Sequence, residues 1–170
     1  TTITVGSGNS ALESALMMAG IASKVYLLSK FADGPDTNGG FPKGENILID
    51  KVKATPNIEV IYSASTKQIL GTDFVTGVEY ADATGALHTI TTDGAMVHIG
   101  MIPNSNFAEV VAKNPTKEIE VDQKCATNVP GIFAAGDVTN IPYKQISIAA
   151  GQGATAALAA IEYLNRWKAE

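Results

Sequence analysis

The sequence predicts an α/β fold built on a parallel sheet, and three observations carry that reading. The β-branched run Ile3-Thr4-Val5 leads straight into a turn in which Gly6, Gly8 and Ala11 are spaced G-x-G-x-x-A. A second β-rich run, Lys24 to Leu28, follows where the second parallel strand of a βαβ unit belongs. Between Ser65 and Thr92 the pattern changes to alternation, with breaks at Gly71-Thr72-Asp73 and Ala83-Thr84-Gly85, which is the signature of an antiparallel three-stranded excursion. Together they describe a Rossmann-like sheet interrupted by a β-meander.

The opening turn is chemically the most specific of these features. Gly6 permits the tight turn, Gly8 lets the backbone approach a ligand, and Ala11 lets the next helix pack on its strand. That helix, expected from about Ser10 to Ala19, points its unpaired N–H groups and positive dipole end into the turn. A dinucleotide pyrophosphate is the natural occupant. Small residues also close strand-to-helix turns that bind nothing; the second strand, ending near an expected ribose contact, favours the ligand reading.

After the βαβ unit, Phe31 to Gly44 is dense in Gly, Asp, Asn and Pro and reads as a long exposed loop. A helix is expected over Glu45 to Thr55, where Ile47, Leu48, Ile49 and Val52 supply an apolar face before Pro56-Asn57 stops it. Ile58 to Tyr62 is a third short strand. The meander strands are Thr66 to Leu70, Val75 to Ala81 and Leu87 to Thr91. Ala95 to Ile99 then returns the chain to the parallel sheet, ending in a sharp turn over Gly100 to Asn104. A short helix around Ser105 to Lys113, strands at Glu118 to Asp122 and Ile132 to Ala135, and a final helix from about Tyr143 to Trp167 complete the expected elements. Lys113 to Thr116 marks a plausible domain crossover.

A chain of 170 residues with 45% hydrophobic content can bury a substantial core. The net charge of −5 and the lack of a basic run argue against a nucleic-acid partner. Ile146 to Leu164 approaches the length of a membrane span, but its bulk is Ala and Gly, interrupted by Gln152 and Glu162, so a soluble helix is expected. The single cysteine, Cys125, excludes an internal disulfide and a Cys-x-x-Cys pair. Without a partner base it reads as a structural thiol, and a reducing, cytoplasmic setting fits. The chain opens at Thr1 on strand residues, without Met or an apolar leader, and reads as an excised piece with no export signal. His88 and His98 read as satisfied structural histidines. Gly151 and Gly153 cost about 1 kcal/mol each against Ala in a helix, so a packing reason is expected for them.

A second constellation lies near the end. Ile132-Phe133-Ala134-Ala135-Gly136-Asp137 ends in small residues followed by an acid, suited to close approach of a flat, hydroxylated ligand; the bland reading is an Asp capping the next turn. Lys144-Gln145-Ile146 then opens the long helix.

Gly6-Ser7-Gly8-Asn9-Ser10-Ala11, Ile99 to Asn104, Lys124 to Asp137 and Pro142 to Ile146 resemble, in order and spacing, the C-terminal half of low-molecular-weight thioredoxin reductases. The similarity is greatest to the flavoprotein component of alkyl hydroperoxide reductase, and it covers nearly the whole chain. It implies that residues 1 to 113 form the NAD(P)H-binding domain and 114 to 170 the C-terminal portion of an FAD-binding domain. It also implies that Gly6, Ser7, Gly8, Asn9, Ser10 and Ala11 cradle the NAD(P)H pyrophosphate, that Gly100 lies by the nicotinamide, that Gly136 and Asp137 contact the FAD ribityl and phosphate region, and that Gln145 and Ile146 lie against the isoalloxazine, with Lys144 beside them as a cofactor-binding residue. The parent's electron acceptor would be a thioredoxin-like or peroxiredoxin protein. The family's N-terminal FAD turn and redox-active Cys-x-x-Cys lie outside this sequence, so the chain alone is expected neither to reduce disulfides nor to retain FAD stably.

The choice between NADH and NADPH falls at Ser29-Lys30-Phe31, where no acid stands to bind an adenosine ribose. Ser29 and Lys30 can donate to a phosphate, which leans toward NADPH. The Ala154 to Ala160 face suggests tight helix packing or self-association as a homodimer. The competing reading is a short nucleotide-binding or regulatory module without redox turnover.

Overall fold

The computed structural model describes residues 1–167, and they form two compact units, Thr1–Gly100 and Met101 onward. The division falls ahead of the Lys113–Thr116 crossover expected from the sequence.

The first unit contains β1 (Thr2–Gly6), α1 (Asn9–Ala19), β2 (Val25–Leu28), α2 (Asn46–Ala54), β3 (Ile58–Ile61), β4 (Ser65–Gly71), β5 (Val75–Ala81), β6 (Leu87–Thr91) and β7 (Gly94–His98). A parallel sheet runs in the order β3-β2-β1-β7, and an antiparallel sheet in the order β4-β5-β6. The mixed α/β class, the parallel sheet and the meander are thus as the sequence predicts, with element ends moved by a residue or so.

Period-two alternation assigns the two faces of the parallel sheet. Val25 and Leu27 of β2 pack with Ala11, Leu12 and Ala15 of α1 and with Ile49 and Val52 of α2, in a cluster closed by Phe41. Ile3, Val5 and Leu28 point the other way, onto Val78 and Tyr80 of the meander. The helices therefore cover one face and the antiparallel strands the other.

Strand order decides where a ligand can sit. From β1 the chain winds outward through β2 to β3, then returns on the opposite side of β1 as β7. The reversal makes the carboxyl ends of β1 and β7 a topological switch point, where open α/β sheets leave a crevice for ligands.

The second unit departs from expectation more. In place of a helix at Ser105 to Lys113 there are turns, because the Ala112 amide donates to Asn128 Oδ1 and the Ala112 carbonyl accepts from Glu120, both in competition with a helical ladder. The segments expected as strands, Glu118 to Asp122 and Ile132 to Ala135, form only isolated bridges: Lys113 with Ile119, Ile119 with Thr139, and Ala126 with Phe133. Each finds one pairing partner at a time rather than a ladder.

The final helix, α3 (Ile146–Arg166), starts later than Tyr143, with Gln145 as an extended N-cap. No α3 residue is fully buried, and Ile146, Leu158, Ile161 and Leu164 are exposed. A Cβ placed on Gly151 or Gly153 would meet nothing within 4 Å. The packing reason expected for these glycines is not met by this unit. No helix among the described residues is long and apolar enough to cross a membrane.

Candidate functional site

The strand-to-helix turn of the first unit sits at the switch point. Gly6 ends β1 beside His98, the last residue of β7, and adopts φ +147°. A Cβ there would lie 2.3 Å from the His98 carbonyl oxygen and 2.9 Å from Ala11 Cβ, so this position requires glycine for the fold itself. Gly8 is different. Its φ is −115°, and a Cβ would stand in ordinary contact, 3.8 Å from Lys43 Cβ. Nothing in the local fold demands glycine at this position.

Gly8 is the N-cap of α1, and no side chain caps it. The helical ladder begins with the Ala11 and Leu12 amides, which both donate to the Gly8 carbonyl at 3.0 and 3.2 Å. The Asn9 and Ser10 amides precede that ladder and have no intrahelical partner. No acidic residue occupies the first turn of α1, so the positive end of its dipole is not neutralised from within the helix. An uncapped N-terminus at a switch point suits an anion.

The side chain of Asn9 is engaged within the fold, which leaves only its backbone amide for the cradle expected there. Its Oδ1 accepts from the Glu45 backbone amide at 2.8 Å, and its Nδ2 donates to Glu45 Oε1 at 2.9 Å. Glu45 is in turn the N-cap of α2, again without a side-chain cap. The start of α2 is thereby tied to the start of α1, and the positive ends of two helix dipoles share one neighbourhood. A parallel bridge between Gly8 and Lys43 lays the end of the Phe31–Gly44 loop alongside the turn. Lys43, a residue the sequence reading did not single out, is exposed and begins its side chain beside Gly8.

Ser29 corrects the expectation of a phosphate donor. It is fully buried; its hydroxyl donates to the Gly40 carbonyl at 2.5 Å and accepts from the Phe31 amide at 3.2 Å. The hydroxyl holds the loop and is not available to a nucleotide. Lys30 is exposed, with its ammonium 5.1 Å from the centre of the Phe31 ring. Gly100, the last residue of the unit, is exposed with φ +107°. His98 joins its imidazole Nε2 to Ser14 Oγ of α1 at 2.8 Å, a satisfied structural histidine. His88 pairs with Asp82 at 2.7 Å and stacks on Tyr80.

In the second unit, Gly136 is buried with φ +80°, and a Cβ would approach Ala149 of α3 to 3.4 Å. Its amide donates to Gln152 Oε1 at 2.8 Å, and the Thr139 hydroxyl donates to the Gly136 carbonyl at 2.8 Å. These bonds fix the turn that presents the exposed Asp137. Lys144, expected at a flavin ring, directs its ammonium inward to the Thr139 carbonyl at 2.5 Å and to Glu118 Oε1 at 2.8 Å. The ammonium, together with donors from Asn114 and Thr116, holds the Glu118 carboxyl down to about 2. Gln145 and Ile146 are exposed at the start of α3.

A cavity of about 550 Å³ in this unit is lined by Asp122, Cys125, Asn140, Pro142, Gln152 and Thr155, among others. Cys125 is 2% exposed, and burial, then the Asp122 carboxylate, raises its thiol above the ordinary range. A protonated, enclosed thiol is inert, in keeping with a structural cysteine.

Comparison with known proteins matches this arrangement. The pyridine nucleotide-disulphide oxidoreductase family pattern covers residues 1–153. The chain is 44% identical over 167 residues to the F subunit of alkyl hydroperoxide reductase from Escherichia coli strain K12, covering 96% of this chain and 30% of that protein. It is 43% identical over 164 residues to a protein named NADH dehydrogenase from Ferdinandcohnia aciditolerans, covering 95% of this chain and 30% of that one. Among solved structures, thioredoxin reductase from T. acidophilum superposes with a TM-score of 0.73 at 33% identity, covering 96% of this chain and 52% of that chain. The sequence therefore spans about a third of these curated relatives and about half of the reductase. On the match over residues 1–153, the chain belongs to the pyridine nucleotide-disulphide oxidoreductase family.

Proposed function

We propose that the first unit binds NAD(P)H at the Gly6–Ala11 turn and that the second unit is the C-terminal portion of an FAD-binding domain. On this reading the chain is the C-terminal half of a flavin-dependent reductase of the thioredoxin reductase type, or the corresponding C-terminal third of one of the alkyl hydroperoxide reductase type. The observation that carries it is the uncapped start of α1 at the switch point, with Gly8 free of any steric need to be glycine. The Asn9 and Ser10 amides receive the pyrophosphate, Gly8 lets it come close, and the exposed Lys30 and Lys43 offer positive charge to the nucleotide phosphates. The site suits NADPH and NADH alike.

For FAD, the residues that fit are Gly136 and Asp137, held by Gln152 and Thr139, with Gln145 and Ile146 open at the start of α3. The chemistry the two cofactors supply is hydride transfer from nicotinamide to flavin, with electrons passed on to a thioredoxin-like or peroxiredoxin protein. A lone, buried Cys125 gives this sequence no internal cysteine pair for that last step. The exposed apolar residues of α3 are on this reading where the rest of the flavin-binding domain packs.

Thermal denaturation of the chain with increasing NADPH or NADH tests the first part. A ligand that binds only the folded state raises Tm progressively with concentration. A Tm that neither nucleotide moves at millimolar concentration contradicts it.

A further inference from the structure

We propose that the Asn9–Glu45 pair positions Lys43 for nucleotide binding, so that the Asn9 side chain acts on affinity through Lys43 rather than by touching the ligand. This rests on the nucleotide reading of the Gly6–Ala11 turn.

The backbone amide of Glu45 needs an acceptor and its carboxylate needs a donor, and Asn9 presents both on one rigid carboxamide at 2.8 and 2.9 Å. An ionised Asp, which only accepts, cannot satisfy both partners at once. With its oxygen and one amide hydrogen engaged, the Asn9 side chain is poorly placed to serve as a phosphate ligand itself.

The pair sits at a mechanical junction. Glu45 caps α2, while Lys43 bridges to Gly8. Gly44 between them turns back, its amide donating to the Phe41 carbonyl at 2.9 Å, and Phe41 is fully buried in the α1–α2 core. Asn38 Nδ2 donates to the Gly44 carbonyl at 3.0 Å. Backbone on both sides of Lys43 is therefore anchored: upstream by the Phe41 side chain and downstream by Asn9. Release of the Asn9 anchor leaves only the Gly44 contacts and the Gly8 bridge to hold Lys43, and a long exposed lysine less firmly placed contributes less.

Titration of NADPH and NADH into the parent chain and into N9A, K43A and N9A/K43A tests this as a double-mutant cycle. Each single variant is expected to weaken binding by roughly five- to thirtyfold, the scale of one charge-assisted hydrogen bond. The double variant is expected to be no weaker than the weaker single. E45A should lose affinity like N9A, and E45Q, which keeps the side-chain acceptor, should recover most of it; this pair also carries the test if N9A folds poorly. Losses that multiply in the double variant, or an N9A affinity equal to the parent's, overturn the proposal while leaving the nucleotide site standing. A parent chain that binds neither nucleotide removes the nucleotide reading and the proposal with it.

Discussion

The carbonyl oxygen of His98 lies 2.3 Å from where a Cβ on Gly6 would stand. The first and last strands of the parallel sheet come together at that point, and the space a side chain would need is taken by backbone, which cannot yield as a flexible side chain can. Gly6→Ala should therefore destabilise the chain by on the order of 2–4 kcal/mol, from the clash and the positive φ together. Gly8→Ala meets only ordinary contact with Lys43 Cβ and should cost at most about 1 kcal/mol, the N-cap preference for glycine over alanine. Urea unfolding of the two variants side by side checks this; equal losses would mean that Gly8, too, is held by the fold.

Thr4 is fully buried in the central strand β1, and its hydroxyl has no hydrogen-bond partner among the described residues. An unsatisfied buried hydroxyl is unfavourable, and valine has nearly the same shape. Thr4→Val should raise stability by about 1 kcal/mol in urea denaturation. A loss of stability would show that the hydroxyl has a partner in solution.

Glu118 gives the second unit a specific acid sensitivity. Its carboxyl titrates at about 2 in the folded chain against an ordinary value of 4.5, held down by Lys144, Asn114 and Thr116. A depressed carboxylate contributes stability that is complete above the unfolded value and is lost as pH falls toward the folded one. Glu118→Gln should thus lower the unfolding midpoint most above about pH 5, with the difference from the parent shrinking between about pH 4.5 and pH 2. A difference that stays constant across that window contradicts the ion-pair account.

Cys125 should react with a thiol reagent on the order of a hundredfold more slowly in the folded chain than in denaturant, because burial both hides the thiol and keeps it protonated. Rapid native-state labelling would place it at an accessible surface.

Much of the first unit was legible in the sequence because its signals are local. The Ile3-Thr4-Val5 run, the glycine spacing and the Val25–Leu28 run each specify an element within a few residues, and parallel pairing follows from the short helix between them. The Asn9–Glu45 pair was not legible, since its members stand 36 residues apart and only the fold of the intervening loop joins them. The same loop hides Ser29: as a polar residue after β2 it reads as a ligand donor, yet the glycine-rich segment folds back so that Gly40 takes its proton. In the second unit, Ile132 to Ala135 carries a strand composition but lacks a ladder, since strand pairing depends on a neighbour that composition does not specify. The ammonium of Lys144 likewise turned inward because Glu118 and the Thr139 carbonyl lie within reach, a relationship invisible in the Lys144-Gln145-Ile146 run.

The central claim is that the start of α1 receives the diphosphate of a nicotinamide nucleotide through its backbone. Isothermal titration of NADPH and of NADH into the folded parent chain and into Gly8→Val tests it most directly. The account predicts saturable binding by the parent of at least one nucleotide and a loss of at least about tenfold in Gly8→Val, whose larger side chain stands where the phosphate must approach. Equal affinity in the two folded proteins, or no heat of binding with the parent, would contradict it.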